Sequence, residues 1–287
     1  MPLVPTAEIV DEARRADRGV GAFNVIQLEH AEAIVAGAAR TGRPVILQLS
    51  ENTVRYHGGL GAAGAAAVAL ARDADARAAV HLDHATALDL CRQAADLGFG
   101  SVMFDGSRLP YEENVRATGE VARWAHDDGL WVEAELGEVG GKEGAHAPGV
   151  RTDPDEARRY VTETGVDGLA VAVGTSHAMS RREAVLDLDL IAALREAVPV
   201  PLVLHGSSGV PDEQLAAAVR SGMTKINLAT ILNAALTQTV RRVLARDADL
   251  VDPRKYLGPG RDAVAGEVAR LLRLLARDPA PDERTSG

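Results

Sequence analysis

The chain has a single cysteine, Cys91, so no intramolecular disulfide is available and packing alone must hold the fold. Cys91 lies in ALDLCRQAADLG, inside an amphipathic helical pattern, where a thiol serves as a small buried hydrophobe. No apolar run approaches the ~20 residues that a membrane-crossing helix needs, which excludes a helical membrane protein. Positive charge is outweighed, the formal net charge being -10. That balance argues against general nucleic-acid binding, which calls for a basic surface. It leaves a small anionic substrate open, because a few positive groups and backbone amides can dominate one cleft. The opening MPLVPTAEIVDEARRADRG carries early acidic residues and no apolar core of a signal peptide, so the expected compartment is the cytoplasm. Nothing linker-like divides the chain, apart from a tail after about Asp278 that is expected to fray. Residues 1–287 are read as one domain.

What the chain does have is an alternation, from end to end, of short apolar or β-branched runs with longer helical patterns. The strand candidates are GAFNV from Gly21, PVILQLS from Pro44, AAVHLDHA from Ala78, SVMFDGS from Ser101, WVEAELG from Trp131, GLAVAVGTSH from Gly168, PLVLHGSSG from Pro201 and TKINLAT from Thr224. Between them lie amphipathic segments such as EHAEAIVAGAARTG and DPDEARRYVTETG. Asp153 stands as an N-cap before Pro154, and Gly42, Gly98, Gly129, Gly165 and Gly222 stand where helices end in glycine. Near-continuous apolar strands, each followed by a helix, imply a parallel sheet covered by helices. Eight such units predict an α/β fold of one closed (β/α)8 TIM barrel. An open doubly wound sheet is the alternative, but no Gly-rich dinucleotide fingerprint follows the first strand and there is no P-loop.

A parallel barrel gathers its active-site residues at the C-terminal ends of the strands. The polar residues there are Asn24, Ser50, Asp83, His84, Glu135, His177, His205 and Asn227. Of the eight histidines, three stand at the ends of the third, sixth and seventh strand candidates, in LDHAT, GTSHA and LHGSSG. Three imidazoles at one mouth make the three-ligand arrangement of a catalytic zinc site; taken singly, each would read as an ordinary hydrogen-bonded histidine. His81 lies deeper in its strand, and His30, His57, His126 and His146 fall in helix or loop contexts that read as structural or solvent-facing.

HLDHAT, EAELGEVGGKE, AVAVGTSHA, PLVLHGSSGVP and TKINLAT, in that order and spacing, resemble the class II fructose-bisphosphate and tagatose-bisphosphate aldolase family, from AFNV near residue 22 to DPRKYLGPGRDA near residue 263. The resemblance implies one catalytic zinc ion per subunit held by His84, His177 and His205, with Asp83 as general acid/base at the substrate's C4 hydroxyl. Orienting a ligand histidine is the lesser role open to Asp83. It implies Glu135 as a metal carboxylate, bound directly or in an alternate position, and Glu143 as the loop glutamate that moves a proton at the enediolate carbon; a solvated loop charge is the plainer reading of Glu143. For phosphate it implies Gly206, Ser208, Asn227, Thr230 and the amide of Ala178. Arg261 would reach the second phosphate, in some members from a neighbouring subunit; otherwise it is a surface charge.

The substrates so implied are a phosphorylated ketose and triose phosphates, the assembly a homodimer or homotetramer, and a monovalent cation requirement is open. Two positions depart from the family pattern. Ala229 in NLAT stands where members selective for fructose 1,6-bisphosphate often carry an acidic residue, as in tagatose-type members, whereas Gly209 is kept as in fructose-type members. Ala178 follows the second histidine where many members have glycine. The expectation is reversible cleavage of fructose 1,6-bisphosphate, with tagatose 1,6-bisphosphate or a relaxed C4 preference as alternative. A Schiff-base aldolase would need a lysine at the barrel mouth, and of Lys142, Lys225 and Lys255 only Lys225 lies on a strand, several residues before its end. A non-catalytic sugar-phosphate-binding barrel has no need of the full Asp, His and Glu set.

Overall fold

The computed structural model of the chain describes residues 2–136, 151–175 and 182–277. Its strands are β1 (Val20–Asn24), β2 (Val45–Ser50), β3 (Ala78–Ala85), β4 (Ser101–Phe104), β5 (Trp131–Leu136), β6 (Gly168–Val171), β7 (Leu202–Leu204) and β8 (Met223–Leu228). All are parallel and they close in sequence order, β1 pairing with β8 through Val20 to Lys225 and Ala22 to Asn227. The expected (β/α)8 barrel is the fold found. The helices among the described residues are α1 (Thr6–Arg15), α2 (Leu28–Ala39), α3 (Glu51–His57), α4 (Gly61–Asp73), α5 (Leu88–Asp96), α6 (Tyr111–Asp127), α7 (Pro154–Thr164), α8 (Leu188–Ala197), α9 (Asp212–Ser221), α10 (Thr230–Arg246) and α11 (Arg254–Leu275).

The helix ends follow local chemistry. Asp153 accepts the N–H groups of Asp155 and Glu156 at 3.0 and 2.9 Å, satisfying two of the donors that open α7. Gly165 stops the same helix in the left-handed region at φ 71°, a conformation in which a side chain would be strained. β6 is shorter than the apolar run that predicts a strand as far as His177: beyond Val171, the Ala172 carbonyl accepts the Thr152 amide and the Ala172 amide donates to the Thr152 hydroxyl, instead of continuing along β7.

Strand alternation builds two layers with different contents. The outward faces, including Phe23, Leu47, Val80, Leu82, Val132, Leu169 and Ile226, pack under the helices in the larger apolar cluster, together with Cys91. The inward faces begin with Val20, Ala22, Ile46, Ala79, Trp131, Ala170 and Val203 at the barrel floor, where Ile9 and Val10 of α1 close them off. Burying one such branched side chain contributes about 1.5–3 kcal/mol, so α1 is a structural plug. Two residues further along several of these strands the inward positions turn polar, as Asn24, Gln48, His81, Glu133 and His205, and higher still stand Asp83 and Glu135. The barrel is thus apolar at its N-terminal end and polar toward its mouth.

Candidate active site

At the end of β3, Asp83 and His84 are adjacent in sequence, and strict alternation would send them to opposite faces. Two features break the alternation. His84 has a left-handed backbone, φ 54°, and the pairing of β3 with β4 shifts register between Leu82 and Ala85. Non-glycine residues adopt this conformation only where the surroundings enforce it. As a result His84 Nε2 lies 3.9 Å from Asp83 Oδ1. The other ring nitrogen, Nδ1, donates to Asp105 Oδ2 at 2.8 Å, while Asp105 Oδ1 accepts the amide and hydroxyl of Ser107 at 3.2 and 2.6 Å.

His205, just past β7, is fully buried and its ring stands 4.7 Å from that of His84, edge to face. Its Nε2 donates to Glu133 Oε1 at 2.9 Å, and its Nδ1 lies 2.9 Å from Glu135 Oε2. Glu133 and Glu135 share the inward face of β5 because they are two residues apart. Each histidine therefore has one nitrogen fixed by a carboxylate behind it, and the opposite nitrogen turned toward Asp83 or Glu135. Such carboxylate–histidine pairs orient metal ligands and set their tautomer.

The charges are interdependent. Burial alone would lift the Asp83 carboxyl, but the neighbouring charges of His84, His205 and Lys225 hold it well below the ordinary carboxylate range. Glu133 behaves likewise: against burial, Lys225 and the His205 bond bring it down to about 2. Burial would depress His205, yet its bonds to Glu133 and Glu135 prevail and raise it to about 9. His81 is pushed down to about 3 by burial and by Lys225, and its Nδ1 stands 2.8 Å from Ser101 Oγ, as a structural histidine would.

The donor set fits a divalent metal ion. Ligand atoms of Asp83, His84 and His205 lie within 4.8 Å of one another, and so do those of His84, Asp105 and Glu135. Imidazole nitrogens with carboxylate oxygens suit zinc and neighbouring transition ions. His177, Ala178 and Glu143 lie outside the described residues.

The remaining predicted site residues fall into four places. Asn24 Oδ1 accepts from Gln48 Nε2 at 2.8 Å, and Asn227 Nδ2 donates to Asp83 Oδ1 at 3.4 Å, so both join the central network. Ser50 pairs in register with Asp83, and its hydroxyl caps α3 by accepting the Thr53 amide at 3.3 Å. Ser208 Oγ accepts the amides of Ala229 and Ile231, both at 3.3 Å, tying the turn after β7 to the start of α10. Gly206 opens that turn at φ 66° and Thr230 is the first residue of α10. Arg261 on α11 is not bonded into this network; its guanidinium donates to Glu32 at 2.8 Å and lies 3.9 Å from Asp262. His57 lies 2.6 Å from the Ile26 carbonyl, His126 pairs with Asp167, and His30 is buried in α2, all away from the cluster.

Sequence reasoning missed Asp105, Glu133, Gln48 and the structural part of Lys225. A signal existed, because buried strands that carry ionisable residues at a spacing of two, as in WVEAEL and TKINL, declare a polar inward face.

The family model of class II fructose-bisphosphate aldolase matches residues 4–278. A fructose-bisphosphate aldolase of Geobacillus stearothermophilus is 42% identical over 277 residues, spanning 95% of this chain and 96% of the relative. A 6-phospho-5-dehydro-2-deoxy-D-gluconate aldolase of Bacillus subtilis is 40% identical over 276 residues, 95% of each chain. Among solved structures, the YdjI aldolase of Escherichia coli K12 superposes with a TM-score of 0.83 at 28% identity, over 96% of this chain and 98% of that one. With the barrel, the paired histidines at its mouth and these matches in hand, the chain belongs to the class II fructose-bisphosphate aldolase family.

Proposed function

We propose that the chain is a zinc-dependent ketose-bisphosphate aldolase that reversibly cleaves fructose 1,6-bisphosphate to dihydroxyacetone phosphate and glyceraldehyde 3-phosphate. The observation that carries this is Asp83, a buried carboxylate kept ionised within 3.9 Å of His84 Nε2, beside two histidines each backed by a carboxylate. The residues that would hold the zinc are His84, His205 and His177, with Glu135 as a further carboxylate, bound directly or in an alternate position. When bound, the cation supplies a Lewis acid that stabilises negative charge developing on substrate oxygen.

Asp83 does the proton work of cleavage. Its carboxylate takes the proton of the C4 hydroxyl, the electron pair left on that oxygen closes the aldehyde carbonyl at C4, and the C3–C4 bonding pair passes to the ketose fragment. Glu143 delivers a proton to that carbon, completing dihydroxyacetone phosphate. Asn227, at 3.4 Å from Asp83, keeps the carboxylate aimed. The amide-rich turn at Gly206 and Ser208, together with the N-terminus of α10 at Thr230, suits a phosphate, as helix N-termini do.

Ala229 favours a second reading, a relaxed preference at C4, because its methyl group offers no hydrogen bond by which epimers could be told apart. One experiment tests both. Purified protein is assayed for cleavage of fructose 1,6-bisphosphate, tagatose 1,6-bisphosphate and 6-phospho-5-dehydro-2-deoxy-D-gluconate in parallel, with and without a chelator. Chelator-sensitive cleavage of the fructose ester is expected. Cleavage of the sugar acid alone would reassign the substrate, and comparable cleavage of both bisphosphates would establish the second reading.

A further inference from the structure

Beneath the proposed zinc and proton-transfer groups sits a fully buried lysine, Lys225, in the inward layer of β8. Its Nζ lies 2.8 Å from Glu133 Oε2, 2.8 Å from Asn227 Oδ1 and 3.5 Å from Gln48 Oε1. The first contact is an ion pair and the other two are hydrogen bonds to amide oxygens, so the lysine, which can only donate, meets acceptors alone. Each of the three partners then passes a fixed polarity onward. Glu133 turns its other oxygen, Oε1, to His205 Nε2 at 2.9 Å. Asn227, with its carbonyl held, can offer Asp83 only its NH2 group, which stands at 3.4 Å. Gln48, held in the same way, offers its NH2 to Asn24 Oδ1 at 2.8 Å.

We infer that Lys225 is a positioning residue whose ion pair with Glu133 and hydrogen bonds to Asn227 and Gln48 orient Glu133 and Asn227, and through them the metal-facing nitrogen of His205 and the carboxylate of Asp83. The inference rests on the zinc-site reading above. Without the ammonium, both amides are free to turn over, and Asn227 can present its carbonyl to Asp83, a repulsive contact. Glu133 likewise loses the partner that aims Oε1 at His205, so the ring is no longer held with Nδ1 turned to the Glu135 side of the site. The same contacts remove Lys225 from consideration as a Schiff-base nucleophile, since a fully buried amine held by Glu133, Asn227 and Gln48 has no access to substrate.

The test compares full-length wild type with Lys225→Met, Glu133→Gln and the double variant, in which both charges are gone at similar volume. Zinc affinity of the folded protein is measured by chelator competition, and thermal melting is followed separately. Loss of a group that orients a metal ligand weakens affinity about 10- to 100-fold. That loss is expected in Lys225→Met and in the double variant, with the double no weaker than the worse single, since both substitutions act on one connection. At saturating zinc, kcat should fall in Lys225→Met while KM changes little, reporting the Asn227 and Asp83 branch. Should Lys225→Met fail to fold because Glu133 is left unpaired, the neutral double variant carries the comparison, and if that fails too, Glu133→Gln alone must weaken zinc by the same factor. A folded variant lacking Lys225 that melts lower but binds zinc as wild type does would show a purely structural lysine and overturn the inference. Wild-type protein that takes up no zinc would remove the zinc reading, and the inference with it.

Discussion

Replacing Asp105 by asparagine changes one oxygen to an NH2 group in a carboxylate whose two ends are both committed. Oδ2 accepts from His84 Nδ1 at 2.8 Å, and Oδ1 accepts the Ser107 amide at 3.2 Å. A backbone amide is only a donor. The new NH2 group cannot therefore face Ser107 without setting donor against donor, and the favoured flip turns it to His84. Nδ1 must then accept, which moves the ring proton to Nε2, the nitrogen that faces Asp83 at 3.9 Å and that a metal would need bare. Both side chains are largely out of solvent, 9% and 8% exposed, so water cannot cheaply repair the mismatch. Replacing such a partner weakens metal binding about 10- to 100-fold, which corresponds to about 1.4–2.7 kcal/mol. The assay is zinc competition against a chromogenic chelator, with melting temperature as control for folding. A zinc affinity within twofold of wild type in Asp105→Asn would refute the claim that Asp105 sets the His84 tautomer. A loss approaching that of His84→Ala would instead make Asp105 a ligand itself.

Three further outcomes are expected. Chelation abolishes cleavage and zinc restores it, whereas borohydride with substrate leaves the enzyme active; full activity in verified metal-free protein, or trapping at Lys225, would contradict the metal mechanism. Asp83→Ala lowers kcat by about 10²–10⁴-fold, the usual yield of a positioned acid/base, while zinc content measured by elemental analysis stays near wild type; His205→Ala loses the metal itself, and equal loss from both variants would reassign Asp83. The natural chain prefers fructose over tagatose 1,6-bisphosphate by about 10- to 100-fold, the ~1–3 kcal/mol that shape alone supplies, and Ala229→Asp widens the ratio of kcat/KM; a natural preference near ten-thousandfold would point to a polar contact elsewhere.

The sequence determined the barrel because its signals are local. A run such as PVILQLS, a cap such as Asp153 before Pro154, and a glycine such as Gly165 each act within a few residues, and eight repeats of strand and helix leave few ways to close. It also marked Asp83, His84, Glu135 and His205 as polar strand-end residues, which the fold brings together, since a parallel barrel carries every strand end to one face and polarity there is conspicuous in an otherwise apolar strand. The extent of β6 was not legible, because an apolar run does not say which backbone it will pair with, and Thr152 takes that place at Ala172. Only tertiary structure decided how the site is held. The left-handed turn of His84 brings two neighbours in sequence to one mouth. Asp105 reaches His84 from 21 positions away, Glu133 reaches His205 from 72, and Lys225 reaches Gln48 across 177. Contacts of that span are fixed by the closure and register of the barrel, which bring inward side chains from distant strands onto one axis, and no local preference of the chain encodes them.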